Sequence, residues 1–451
     1  MTKRVVIVGG GLAGASAAFT LADAGLAVTL LERRGHLGGL TTSVERDGYS
    51  FDNGQHVFLG CCSAYRSLLE RAGLSEHVYL QPRLDMPVVA PGGVRGAIRR
   101  SALPAPLHLA GSLLSYRLLS WRERLSLLPA VISLSRLKLG DPALDTLTFG
   151  SWLRRHHQSD RAIARLWNLI VLPTLNVGVD EASLALAAQV FQVGFLSAND
   201  GADVGWSRVP LIQLHGTELA RALSDAGVEV RLNTNVHSLQ PRARGGVSIV
   251  ANEETLTADA VVVATPARVA ASLGVLDSDR AASLGASPIV NVQFVFDRKV
   301  TDLDMAACVD SPVEFIFDRS DAAGTRSGQC LVVSLSGASH YMGVGSSELI
   351  PQFLDALAEL FPLVREAHVL SAVVTREATA TFLAAPGVEG IRAGIASQMP
   401  GVLVAGAWCD TGWPATMEGA VRSGAEAASG VLSLFSDTIR EQPSKRESVT
   451  S

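Results

Sequence analysis

The sequence predicts an α/β protein in which a Rossmann-like domain of parallel strands is interleaved with an α+β domain carrying an antiparallel sheet and an apolar helical cap. Three observations lead there. A strand, a glycine turn, a helix of small residues and a second strand ending in an acid succeed one another in "KRVVIVGGGLAGASAAFTLADAGLAVTLLE" at the start of the chain. Between residue 288 and about residue 376, runs such as "IVNVQFVFD", "VEFIFD" and "CLVVSLSGA" read as antiparallel strands. The block "LWNLIVLPTLNVGVDEASLALAAQVFQVGFL" is apolar and helical in pattern, with Pro173 and Gly178 as breaks.

Composition sets the outer bounds. With 451 residues the chain is longer than one core fills, so two domains are expected. A net charge of -5 and the lack of a basic tract interleaved with aromatics leave nucleic acid without a docking surface. Hydrophobic residues make up 48%, yet no run of about 18 uninterrupted apolar residues suggests a membrane span. "MTKRVVIVGG" enters a strand at once, without a secretory pattern, so a cytoplasmic location is expected. The five cysteines, at positions 61, 62, 308, 330 and 409, follow neither a metal-binding nor a disulfide spacing.

The first unit carries a dinucleotide fingerprint. Gly9, Gly11 and Gly14 form G-x-G-x-x-G: a tight turn, a close approach of pyrophosphate to backbone, and a close packing of helix on strand. Phosphates would rest on the helix N-terminus that Leu12 and Ala13 begin, where free N–H groups favour negative charge. Glu32, 18 residues beyond Gly14, stands where a ribose-binding acid is expected.

The residues that follow resemble the extended FAD fingerprint of the flavin amine oxidase and phytoene desaturase superfamily, whose nucleotide domain is of the glutathione-reductase type. "ERRGHLGGL" places Arg33, the pair Gly38-Gly39 and Leu40 just past the acid, and "FDNGQHVF" stands where the superfamily reaches the isoalloxazine ring, which implies that Gln55 and His56 face the flavin. "GVEVRLNTNVHSLQ" and "ADAVVVATPARVA" resemble the late strands of that domain, with Val236 beside the adenine and Ala264-Thr265-Pro266 capping a strand near the cofactor. "GVLVAGAWCDTGWPATMEGAVRSG" resembles the closing strand-turn-helix: Gly406 lies in its turn, and Met417, Glu418 and Gly419 open a helix whose N-terminus would stabilise a reduced flavin. One departure is visible. The superfamily's acid after "AG" is Ala407 here, which leaves Cys409 or Asp410 as substitutes.

These pieces imply a discontinuous FAD domain over 1–75, 212–285 and 390–435, and a substrate domain over 76–211 and 286–389. The tail 436–451 is charged and expected to be disordered. Within 95–140, Arg95, Arg99, Arg100, Arg117, Arg122, Arg124, Arg136 and Lys138 face a single acid, Glu123, among leucines, Tyr116 and Trp121. That composition suits a helix lying on an anionic membrane, so a peripheral position on the inner face of the cell membrane is expected, against the plainer reading of a helical cap with solvated arginines. The sparse polar residues Asn168, Asn176, Asp203 and Trp206 in an apolar block suit a hydrocarbon substrate.

Together, "FDNGQHVFLGCC", "LWNLIVLPTLN", "GADVGWSRVPL" and "TGWPATMEGAVRSG" resemble the squalene-associated FAD-dependent desaturases now understood as hydroxysqualene dehydroxylases, over nearly the whole chain. The resemblance implies reductive removal of an allylic hydroxyl from hydroxysqualene to give squalene for hopanoid synthesis, with hydride from N5 of reduced flavin meeting an allylic cation. Such a reaction needs an acid to help water leave, and an apolar site that shields the cation. His56 and Asp203 are the leading candidates for that acid, Asp52 and Asp410 weaker ones. Cys61-Cys62 lack the two-residue spacing of dithiol motifs and read as packing. The reductant is expected to be NADPH or a separate reductase, since no second G-x-G-x-x-G is present. Three rivals remain: a carotenoid-type desaturase with oxidised FAD accepting hydride, an amine oxidase, whose aromatic cage is not evident, and a lipid carrier without turnover.

Overall fold

In the computed structural model, which describes residues 2–243 and 245–440, five strands from distant parts of the chain assemble into one parallel sheet. Its order is Glu229–Arg231, Ala27–Leu31, Arg4–Val8, Ala260–Val263, Val402–Val404, every neighbouring pair parallel. The central strands are almost entirely Val, Ile, Leu and Ala because both faces are covered: Val5, Ile7, Ala260 and Val262 pack with helices, while Val6, Val8, Val261 and Val263 share a core with Leu239, Val247 and Ile249 of a three-stranded antiparallel sheet. The helix Leu12–Asp23 is packed against the last helix, Met417–Arg440. Gly424 permits this approach, since a Cβ there would collide with the Ala13 carbonyl oxygen, and Ser16 Oγ donates to the Val421 carbonyl at 2.8 Å. The helix continues through residues 436–440, the first part of the tail expected to be disordered; 441–451 lie outside the described residues.

The second sheet has seven strands in the order Val369–Thr381, Ser287–Phe296, Gln329–Leu335, Phe315–Asp318, Met305–Cys308, Asp85–Ala90, Val94–Arg99. All its pairs are antiparallel except Met305–Cys308 against Asp85–Ala90. Period-two alternation sorts its two faces. Val290, Val292, Phe294 and Phe296 pack with Leu349, Phe353 and Leu357 of the helix Ser346–Leu360. Across the sheet, Met86, Val88, Met305, Phe315 and Phe317 join a core with Leu127, Trp152, Trp167 and Phe191 of the helical cap.

The cap differs from its sequence reading in two ways. Pro173 does not break a helix: it lies within Asn168–Leu175, which ends at Asn176 with φ +58°. Asn176 ties cap to sheet, its Nδ2 donating to Ser287 O (2.9 Å) and Thr381 Oγ1 (3.1 Å) and its Oδ1 accepting from Gly337 N–H (2.7 Å). The basic segment is also not one helix. Residues Val94–Arg99 form an edge strand, and only Trp121–Ser135 is a long helix, started by a capping box between Ser120 and Glu123.

Asp203, expected as a proton donor, is a clamp. It precedes the strand Val204–Ser207, which pairs with both Val57–Leu59 and Val78–Leu80. Its carboxylate accepts from Leu84 N–H (2.6 Å), Arg100 Nε (2.6 Å) and Arg100 Nη2 (2.8 Å) and so joins this small sheet to the end of the edge strand. Both of its oxygens are thus engaged by Arg100, and Oδ1 by Leu84 N–H as well. Removing one partner of a buried pair strands the other charge. Because the Arg100 side chain is only 15% exposed, Asp203→Ala is expected to cost about 3 kcal/mol of unfolding free energy, read as a lowered urea midpoint. An unchanged midpoint would contradict the clamp.

Candidate active site

The glycine loop and the Gly38-Gly39 turn are stacked as two layers. Gly38 N–H donates to Gly10 O (2.9 Å), and a Cβ on Gly39 would lie 3.1 Å from Gly11 Cα. Gly14 is closed against Gly9, where a Cβ would collide with the Gly9 carbonyl oxygen. Glu32, at the end of its strand, accepts from Gly10 N–H and Arg34 N–H, each at 2.8 Å. A carboxylate has about four lone-pair sites, so two remain for a ligand hydroxyl. Arg33 is exposed, and its neighbour Arg34 instead reaches inward to donate to Gly39 O at 2.8 Å. Leu40 is 39% exposed at the end of the same turn.

Three other segments meet this loop. Thr234 N–H donates to Glu32 O (2.8 Å), which brings Val236, the first residue of an antiparallel strand, close behind. Ala264 N–H donates to Val8 O (2.8 Å), and Pro266 begins the short helix after it. Gly406 N–H donates to Ser423 Oγ (2.8 Å), while Trp408 Nε1 donates to Thr265 O (2.9 Å). Ala407 is half-buried, Cys409 buried and Asp410 exposed. Burial pushes the Cys409 thiol up to about 12, which leaves it protonated and a poor replacement for a carboxylate.

Met417, Glu418 and Gly419 start the long last helix, with Gly419 N–H capped by Thr416 Oγ1 at 3.1 Å. The Glu418 side chain serves a different helix. Fully buried, its carboxylate accepts from Ala64 N–H (3.1 Å), Tyr65 N–H (2.8 Å) and Arg422 Nε (2.7 Å), capping the helix Ser63–Arg71. Only the backbone of this residue remains for a cofactor.

The 53–56 turn is held from behind by Asp52. Its Oδ1 accepts from Ser43 Oγ (2.7 Å) and Leu211 N–H (2.9 Å), and its Oδ2 pairs with Arg319 Nη2 (2.9 Å), which also donates through Nη1 to Ser207 O. Asp52 is thereby fixed as a structural anion. His56 Nδ1 lies 2.9 Å from Gly54 O, and a carbonyl can only accept, so Nδ1 carries the hydrogen. Burial lowers the His56 pKa below its ordinary value and nearby Arg319 adds to this, against the Gly54 carbonyl and Asp52. The ring is therefore neutral at pH 7, with Nε2 as an acceptor.

No motif in the sequence pointed to His215. Fully buried, it receives Tyr65 O–H at Nε2 (2.9 Å) and lies against the Gly38 turn. Burial, with His56 nearby, pushes its pKa down to about 3. Cys62 is in the core and Cys61 is hydrogen-bonded to it; all five cysteines are free.

The residues present fit a flavin. A layered glycine cradle adjoins an acid with free lone pairs, and Thr42 Oγ1, Gln55 Oε1 and Asn291 Nδ2 are buried without a protein partner in one patch. Thr42 N–H donates to Asn53 Oδ1, and Gln55 N–H to Asn291 Oδ1, each at 3.4 Å. Buried polar atoms are normally paired, so orphans gathered beside such a cradle mark where a polar ligand sits.

Comparison with known proteins agrees. The chain is similar to hydroxysqualene dehydroxylase of Rhodopseudomonas palustris, 28% identical over 96% of this chain and 99% of that one. It is also similar to the 15-cis-phytoene desaturase of Narcissus pseudonarcissus, 26% identical over 97% of this chain and 80% of that one. In fold it is similar to cyclohexylamine oxidase from Brevibacterium oxydans, with a TM-score of 0.71 at 20% identity, covering 97% of this chain and 100% of the other. Residues 12–432 match the model of the flavin containing amine oxidoreductases, and the chain belongs to that family.

Proposed function

We propose that this protein is an FAD-dependent oxidoreductase of membrane-borne isoprenoid lipids, and that its reaction is the reductive dehydroxylation of hydroxysqualene to squalene. The observation that carries the lipid reading is on the helix Trp121–Ser135. Leu127, Ala130 and Leu134 face the core, yet Trp121 (64% exposed), Leu125 (56%), Leu128 (63%) and Ile132 (41%) form a second apolar stripe facing outward. Leu103, Leu107 and Leu114 extend the exposed apolar residues along the preceding segment. A helix that exposes a second apolar stripe opposite its core face is unfavourable in water and suited to a bilayer surface. Exposed Arg117, Arg122, Arg136 and Lys138 border it and complement anionic headgroups. Among the described residues no helix is long and apolar enough to cross a membrane, so attachment would be at one face.

The chemistry is supported by the similarity to a hydroxysqualene dehydroxylase over 99% of that chain, although a phytoene desaturase is matched over a comparable span. Bound FAD supplies hydride transfer. The protein's part is to hold lipid against the ring, exclude water and move one proton. With Asp52 and Asp203 committed to arginines, His56 is the proton-transfer group at the 53–56 turn. To help water leave, its Nε2 must first be protonated. A second reading is favoured by the neutral state of the same ring: an unprotonated Nε2 is a base, as desaturation of a phytoene-type polyene would need once hydride has left. The phytoene desaturase similarity supports that reading too.

The two reactions give opposite pH dependences. If His56 is an acid, the single-turnover rate with hydroxysqualene rises as pH falls through a value below 6.5; if it is a base in desaturation, the rate with phytoene falls over that same interval. His56→Gln should remove the limb in either case, and a profile unaltered by the substitution would exclude His56 from proton transfer. For the membrane face, flotation with vesicles of anionic lipid should capture the protein. The double substitution Leu125→Ser, Leu128→Ser is expected to weaken capture by at least about tenfold. Unchanged capture, or a dimer that disperses on the same substitution, would contradict a bilayer contact.

A further inference from the structure

Asn291 lies in the middle of the strand Ser287–Phe296, is fully buried, and falls in a run read from the sequence only as a strand, with no site role. Its neighbours on the same face explain their own polarity: Gln293 Nε2 donates to Asp52 O at 2.8 Å. Asn291 does not. Its Oδ1 accepts from Gln55 N–H, which fixes the orientation of the amide and leaves Nδ2 as the donor. That donor is buried without a partner, in a strand whose other buried atoms are satisfied or apolar. It lies 3.6 Å from where a Cβ on Gly54 would stand, within the 53–56 turn, and Oε1 of Gln55, the residue whose N–H Asn291 accepts, is also buried and unpaired. Leaving such a donor unmade costs on the order of 1–3 kcal/mol, so its retention in a mid-strand site calls for a ligand acceptor.

We propose that Asn291 is a flavin-contacting residue, its side-chain NH2 donating to an acceptor on the isoalloxazine edge while its carbonyl holds the Gln55 amide. The proposal rests on the flavin reading of the site. The ring edge offers imine nitrogens and carbonyl oxygens as acceptors for such a donor. One side chain thus links the sheet of the lipid-binding half to the turn that carries His56. The contact also senses reduction, because the electron density of the acceptors changes when the ring gains two electrons.

Two substitutions separate this role from a structural one. Asn291→Asp keeps the acceptor for Gln55 N–H and replaces the donor by a carboxylate; Asn291→Leu keeps the volume and removes both. For Asn291→Asp at pH 8, the expected result is a folded protein with roughly tenfold weaker FAD binding, shifted flavin absorption bands, and a lower midpoint potential, because negative charge opposes reduction of the ring. Asn291→Leu should likewise weaken FAD binding while the apo protein melts near the native temperature. Native affinity and native potential in either folded variant overturn the proposal. Titration of the unsubstituted apo protein with FAD is the separate control: failure there sinks the flavin reading itself, whatever the variants do.

Discussion

The buried pair between Asp52 and Arg319 is the constraint on which the site depends. Asp52 ends a strand of the hairpin 43–52, Arg319 follows the strand Phe315–Asp318 of the seven-stranded sheet, and Leu211 and Ser207 join through Asp52 Oδ1 and Arg319 Nη1. Three stretches of chain, 43–52, 207–211 and 315–319, are therefore held at one carboxylate and one guanidinium. A buried ion pair gains little net stability over a well-packed apolar pair, but breaking one half is costly, so such a pair enforces a single arrangement. That arrangement sets the 53–56 turn between the parallel sheet, whose glycine loop fits a dinucleotide, and the seven-stranded sheet that carries Asn291 and Gln293.

The legible parts of the fold were those whose cause is local. The first strand-turn-helix-strand could be read because glycine spacing and apolar runs act over a few residues, and the alternation in "IVNVQFVF" gave its strand directly. The same alternation carried a sign that was passed over: Asn291 and Gln293 occupy one face of an otherwise apolar strand, where amides must have partners. His215 had no such signal, since its burial depends on the Gly38 turn and Tyr65, both far away in sequence.

Where the reading of side chains failed, long-range pairing was the reason. Glu418 was placed correctly at a helix start, but its carboxylate caps another helix, a partner more than 350 positions away. Asp203 looked like a spare acid in an apolar block until Arg100 closed on it. Arg33 and Arg34 are equivalent in sequence, and only the direction of the chain past Glu32 turns the second one inward. The basic, leucine-rich segment stood out by composition, yet its division into an edge strand and a doubly apolar helix did not.

On the proposed reading, proton supply and the lipid presented decide the direction of hydride transfer. The decisive measurement is anaerobic: reduce the purified flavoprotein with dithionite, add hydroxysqualene in detergent, follow the flavin absorbance and extract the lipid. The account predicts reoxidation of flavin with stoichiometric formation of squalene. Flavin that stays reduced beside unaltered hydroxysqualene would contradict it.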